Sequence, residues 1–428
     1  MEEKEKPNLR RSLPDELLDF IKHPNPTLLI KGKPGTGKKS LAAIISSNFD
    51  TVIVITRSTT VPLKNEPISQ INHTNPLEIE GFKQFSSKIQ DGLEYPDKTC
   101  FIFRDMDEFL EKNHFMTTFQ LLRRKLNGAI IITSGISTNT ILDTMIDCII
   151  ELHYLMYKEK PMRELHFKKI IGDINTPIYP FTLKNGRFLA CKKIKFKDLA
   201  KVSSWPISPD PIGSYSTGFA EGDAISGLGF KLSSFNIFEL DPSLTRIDSF
   251  LMLYPIVNHL KKGRGVIISP ILGVNSWLVN KKDLAILVDS ECMNNQLRVI
   301  EPGNGNRVDI RPYVVQIRQS SEKLFNKFIE VYDSLSEKTG YKPVFSIFEL
   351  NQLSFIDPKN VRSLLDHVRF VKNTNTIEIG VINKGLPRDI KQSLMMLSDS
   401  YVSLSRYYDA LLLTAEKPRW NHYYVCID

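Results

Sequence analysis

Leu28-Leu29-Ile30-Lys31-Gly32-Lys33-Pro34-Gly35-Thr36-Gly37-Lys38-Lys39-Ser40 runs from a short apolar stretch into a glycine-rich loop, and the loop opens into Leu41-Ala42-Ala43-Ile44-Ile45. That is the strand, loop and helix order of a phosphate-binding P-loop. Glycines at 32, 35 and 37 let successive backbone N–H groups turn inward around an anion. The helix that follows points its positive end at the same place, and Lys38 adds a full charge. Gly32, Lys33, Pro34, Gly35, Thr36, Gly37, Lys38, Lys39 and Ser40 are therefore the nucleotide-binding candidates. An ordinary Gly/Pro turn is the plain alternative.

One position departs from the pattern. The residue after the P-loop lysine is normally Ser or Thr, whose hydroxyl ligates Mg²⁺. Here it is Lys39, and a hydroxyl arrives one place late, at Ser40. The expected ligand is ATP or GTP with Mg²⁺, and hydrolysis is expected to be slow.

Downstream, Thr51–Thr56 is a β-branched run suited to a buried parallel strand. Cys100-Phe101-Ile102-Phe103-Arg104-Asp105-Met106-Asp107-Glu108 is an apolar strand closing on acids. An aspartate at the carboxyl end of such a strand holds Mg²⁺ through water in P-loop enzymes. Asp105 is the metal candidate, with Asp107 and Glu108 as candidate catalytic carboxylates. Ala129–Ser134 supplies a further strand after a helix carrying Arg123, Arg124 and Lys125, which is read as a solvated face. Strands alternating with helices specify an α/β class with a parallel sheet.

The whole chain fits a soluble protein of two or three domains. It has 428 residues, 42% apolar and 24% charged, and a net charge of +8. The basic excess lies in the first 200 residues, which carry 30 basic and 24 acidic side chains. Cys191-Lys192-Lys193-Ile194-Lys195-Phe196-Lys197 contributes much of it and reads as a strand with a solvated lysine face rather than a nucleic-acid patch. The five cysteines lack metal-ligand spacing, no apolar run reaches membrane-spanning length, and Met-Glu-Glu-Lys-Glu-Lys has no signal-peptide core. A cytoplasmic location is expected, with no membrane contact.

From Asp147 the pattern turns to short strands, Asp147–Leu152, Arg163–Gly172 and Tyr179–Gly186. Their order resembles the end of a RecA-superfamily ATPase domain of the KaiC type, with its "D-x-I-x-L", "R-x-L-x-I-x-K-x-R-G" and "P-F-x-I-x-x-x-G" segments. In that family the Lys and Arg of K-x-R reach the nucleotide of a neighbouring subunit. Lys169 matches the lysine, and Ile171 stands at the arginine. The family's catalytic glutamate would follow Ile55, where this chain reads Thr56-Arg57-Ser58-Thr59.

Residues 201–217 are rich in Pro, Ser and Gly and read as a linker between a first domain (1–200) and a second (218–428). Ser216-Thr217-Gly218 and Asp223 resemble the family's domain opening "S-T-G-x-x-x-L-D". Strand Phe235–Phe238 then enters a loop in which Leu240, Ser243 and Thr245 stand at glycine positions, Arg246 at the lysine and Ile247 at the hydroxyl. The expected architecture is two tandem RecA-like domains, each with a C-terminal hairpin region, the second degenerate.

Tandem KaiC-like domains preceded by Pro14-Asp15-Glu16-Leu17-Leu18-Asp19-Phe20 resemble the gas-vesicle regulatory protein D-like family of archaea. That resemblance implies a nucleotide-binding regulator acting on a protein partner, a transcription regulator among the candidates. The rival readings are a working ATPase, oligomeric and associated with DNA, and a nucleotide-independent scaffold.

Overall fold

The computed structural model describes residues 12–56, 71–74, 98–104, 107, 113–135, 141–172, 176–184, 186–191, 207–219, 222–223, 229–241, 244, 247–269, 281–302, 311–317, 321–350, 358–383, 385–408, 410–418 and 423–425. The chain divides into two compact α/β units, residues 1–193 with 408–410 and residues 194–407 with 411–428. Each is a twisted sheet flanked by helices, and together they form two tandem RecA-like domains.

The first sheet is ordered β3-β2-β4-β5-β1-β6-β7-β8-β9. Its strands are β1 (Thr27–Gly32), β2 (Thr51–Thr56), β3 (Ile71–Thr74), β4 (Thr99–Arg104), β5 (Gly128–Ser134), β6 (Cys148–Tyr157), β7 (Lys160–Ile170), β8 (Ile178–Lys184) and β9 (Arg187–Ala190). Strand β1 runs parallel to both neighbours, with Ile30 opposite Thr133 on one side and Ile150 on the other. Because helices cover both faces, its apolar run need not alternate with polar residues. Leu28 and Ile30 point into one core with Leu41 and Ile45 of helix α2 (Lys38–Ser46), after the short helix α1 (Asp15–Phe20). Leu29 points into the opposite core with Phe115, Phe119 and Leu122 of helix α3 (Asn113–Lys125). All three β1 side chains are essentially inaccessible, worth roughly 2 kcal/mol each in transfer from water. Pro14 takes the N-cap of α1, and no side-chain cap bond forms there.

The second sheet is ordered β13-β12-β11-β14-β15-β10-β16-β17-β18. Strand β10 (Ser234–Leu240) sits between parallel β15 (Thr376–Asn383) and β16 (Ser400–Tyr407), as β1 sits between β5 and β6. Strands β11 (Val266–Ile268), β12 (Leu297–Pro302), β13 (Val314–Ile317) and β14 (Val344–Glu349) complete its parallel side, and β17 (Ala410–Lys417) and β18 (Tyr423–Val425) end it. Its helices are α5 (Ile247–Lys261), α6 (Lys281–Leu287), α7 (Ser290–Gln296), α8 (Ser321–Lys338), α9 (Pro358–Asn373) and α10 (Arg388–Leu397), following α4 (Ile141–Met145) of the first unit.

The described part of the Pro/Ser-rich stretch is docked on the second unit. Ser208 N–H donates to Asn258, and the Asp210 carboxylate is held by Lys262 and Arg264. Partial burial pushes the Asp210 pKa up, but those bonds outweigh it and hold the carboxyl well below the usual range. Asp223 accepts from Ser216 Oγ at 2.6 Å, Thr217 N at 2.6 Å and Thr217 Oγ1 at 2.7 Å. The Ser-Thr-Gly…Asp spacing thus has a local purpose, since one carboxylate closes the turn. Among the described residues, no helix is long and apolar enough to cross a membrane.

Candidate functional site

Strand β1 ends on Gly32, the loop spans residues 33–37, and α2 begins at Lys38 with Gly37 as its left-handed cap (φ +108°). A Cβ on Gly32 would fall 2.7 Å from both Leu152 O and Thr36 Oγ1, so a side chain there has no room. Thr36 Oγ1 donates to Lys33 O at 2.8 Å and is buried, bracing the loop from beneath. Lys33, Pro34 and Gly35 are exposed on its outer side. Lys38 is 8% exposed, and its ammonium donates to Gly32 O and, at 3.3 Å, to Lys33 O. The charge is therefore folded over the backbone ring that would receive phosphate. Glycine cradle, buried cation and helix N-terminus converge on one point, which suits an anion of the phosphate class. Ser40 and Lys39 are half-buried on the first turn of α2, which carries no acid.

Lys31, one residue before Gly32, is 2% exposed and pairs with Asp143 of α4 at 2.6 Å. The chain therefore supports the loop with a second buried cation that no motif singles out.

Of the candidate carboxylates, Asp107 accepts from Ser134 Oγ at 2.5 Å and from Gly135 N at 2.8 and 3.0 Å. It fastens the segment after β4 to the end of β5. Asp105 and Glu108 lie outside the described residues, as do Arg57, Ser58 and Thr59 and the lysine run from Lys192 to Lys197. Lys169 donates to Asp143 O at 3.0 Å and Thr144 O at 3.2 Å, so within this chain it caps the end of α4. Ile171 is exposed. Arg124 and Lys125 are solvated as expected, whereas Arg123 donates to Met145 O and pairs with Asp147 at 2.6 Å.

The second unit repeats this framework without the cradle. Gly32 pairs with Leu152 in register, and Leu240 pairs with Leu404 at the same step. Leu240 and Leu244 are 3% and 1% exposed and belong to the core, so apolar side chains fill the place of the glycine loop. Other parts correspond one for one. Asp147 accepts from Thr27 N and pairs with Arg123, while Asp399 accepts from Phe235 N and pairs with Lys372. Lys417 caps carbonyls at the end of α10 as Lys169 caps α4. An apolar recess beside Phe230, Phe238, Met252, Val402 and Leu413 also lies in this unit. Its lining lysine, Lys417, donates to those carbonyls.

No protein-family model matches the chain. A curated protein from Halobacterium salinarum, Protein GvpD2, is 24% identical over 324 residues, covering 66% of this chain and 65% of its own length. The chain thus spans just under two thirds of that relative. This supports a likeness to GvpD-type proteins, and the fold of two tandem α/β domains rests on the structure itself.

Proposed function

We propose that the first domain binds a nucleoside triphosphate, ATP or GTP, and that the bound state governs a contact with a protein partner, with little or no hydrolysis. The observation that carries this reading is Gly32. Its position tolerates no side chain, and it presents its carbonyl to a lysine folded across the loop. Weak turnover follows from the residue types. Lys39 offers no oxygen to a metal, the segment after Ile55 has no carboxylate through Thr59, and Asp107 is committed to Ser134 and Gly135. Regulation is what the likeness to GvpD-type proteins supports, and a transcription regulator is one partner of that kind. Binding would release Lys38 from Gly32 and Lys33 and favour the arrangement in which the loop closes on phosphate, a population shift set by differential affinity. The test is calorimetric titration of the intact chain and of Lys38→Ala with ATP and with GTP, alongside phosphate release. Tight binding lost in Lys38→Ala, with turnover near background, is expected. Robust turnover would transfer the case to an ATPase, and no binding would leave a scaffold.

A further inference from the structure

We infer that Lys39 stands in for the divalent cation, so that the site takes its nucleoside triphosphate free of Mg²⁺. This rests on the nucleotide reading of the loop given above. Helix α2 begins at Lys38, which makes Lys39 the second helical residue, the place from which a P-loop hydroxyl ordinarily reaches the metal. An ammonium donates and cannot ligate, and at that place it would repel Mg²⁺ while attracting the same phosphate oxygens. Ser40 does not restore the ligand. One residue further on, its side chain leaves the helix turned by about 100°. Among the described residues, Asp107 near the end of β5 has both carboxylate oxygens engaged by Ser134 and Gly135.

The charge arrangement agrees with this assignment. The first turn of α2 holds two lysines and no acid, Lys33 is exposed on the loop, and Lys38 is more than nine-tenths buried. A triphosphate that sheds Mg²⁺ becomes more negative and needs the additional cation that this loop carries. Mg²⁺ therefore does not fit the donor set of α2, and Lys39 becomes a specificity-determining residue for the metal-free form of the ligand.

The experiment is a titration of the full chain with ATP and with GTP, once in excess EDTA and once in excess Mg²⁺, on the native protein and on Lys39→Ser, Lys39→Ala and Lys39→Arg. Circular dichroism melts without ligand establish that each variant is folded. The native protein is expected to bind at least as tightly in EDTA as in Mg²⁺. Lys39→Ser should lose about tenfold in EDTA, a step of roughly 1.4 kcal/mol, and recover in Mg²⁺. Lys39→Ala should lose in both conditions, and Lys39→Arg should keep the metal-free mode. Native binding that appears only with Mg²⁺, or a Lys39→Ser variant that binds in EDTA like the native protein, overturns the inference and leaves the nucleotide site standing. Absence of binding in both conditions, unchanged in Lys38→Ala, removes the nucleotide reading and this inference with it.

Discussion

Lys31 and Asp143 stand 112 positions apart in the chain, yet ammonium and carboxylate meet at 2.6 Å beside the glycine-rich loop. In the second domain the corresponding pair is Glu239 on β10 and Lys391 on α10, at 2.7 Å. Lys31 precedes Gly32 and Glu239 precedes Leu240, residues matched by their sheet registers. The two domains share one strand-to-helix ion pair with its polarity reversed. Removing one partner of a buried pair leaves an uncompensated charge, whereas exchanging both keeps the attraction. Asp143→Ala is expected to cost about 3 kcal/mol in urea unfolding. The double exchange Lys31→Glu with Asp143→Lys is expected to recover most of the loss caused by Lys31→Glu alone, and failure to recover would show that the pair's geometry is not transferable.

The glycine at the end of β1 and the leucine at the end of β10 are both expected to resist substitution, for different reasons. Gly32→Ala forces a Cβ to within 2.7 Å of Leu152 O, so it should abolish nucleotide binding and cost about 1–3 kcal/mol. Leu240→Gly empties a core position and should cost about 2–5 kcal/mol without creating a second nucleotide site. Stoichiometry from calorimetry and urea midpoints check both.

His259 is expected to contribute to the acid sensitivity of the second domain. It is fully buried, stacked on Phe345 at 4.8 Å, and among the described residues neither ring nitrogen has a hydrogen-bond partner. Burial, with a smaller contribution from Arg264, drives its pKa from 6.5 down to about 3. The folded state therefore resists the proton that the unfolded state accepts. Stability is full above pH 6.5 and falls below it, by up to about 1.4 kcal/mol per pH unit from this group. His259→Phe should flatten that limb of the urea midpoint between pH 4 and pH 6.5, and an unchanged slope would refute the assignment.

Asp107 is expected to show itself in stability. Asp107→Ala deprives Ser134 Oγ and Gly135 N of their acceptor and should cost about 1–2 kcal/mol in thermal or urea melts. Phosphate release should stay near background in both proteins. A variant with native stability and altered turnover would restore Asp107 to the catalytic set.

The apolar strands were legible because burial on both faces writes them as continuous runs. Residues 51–56 coincide with β2, and β4 and β5 lie within a residue or two of the expected strands apart from the acids trailing β4. The loop was legible because its backbone demands glycine. Strands β3, β9, β12 and β13 were not, being short, outer or polar enough to lack a period. The pairs Lys31–Asp143 and Arg123–Asp147 were also invisible. Their partners meet through helix docking, and a lone lysine in an apolar strand carries no signature of the acid that receives it. Lys169 matches by resemblance a lysine that in the KaiC type reaches a neighbouring subunit's nucleotide; within this chain it caps α4.

Tandem copies of one fold risk exchanging parts while they fold, because each strand finds two similar berths. Were β1 to enter the berth of β10, Lys31 would confront Lys391, and Glu239 in the reverse exchange would confront Asp143. Either mistake buries two like charges side by side. The reversed polarity therefore works as an address label, sending each central strand home to its own helices.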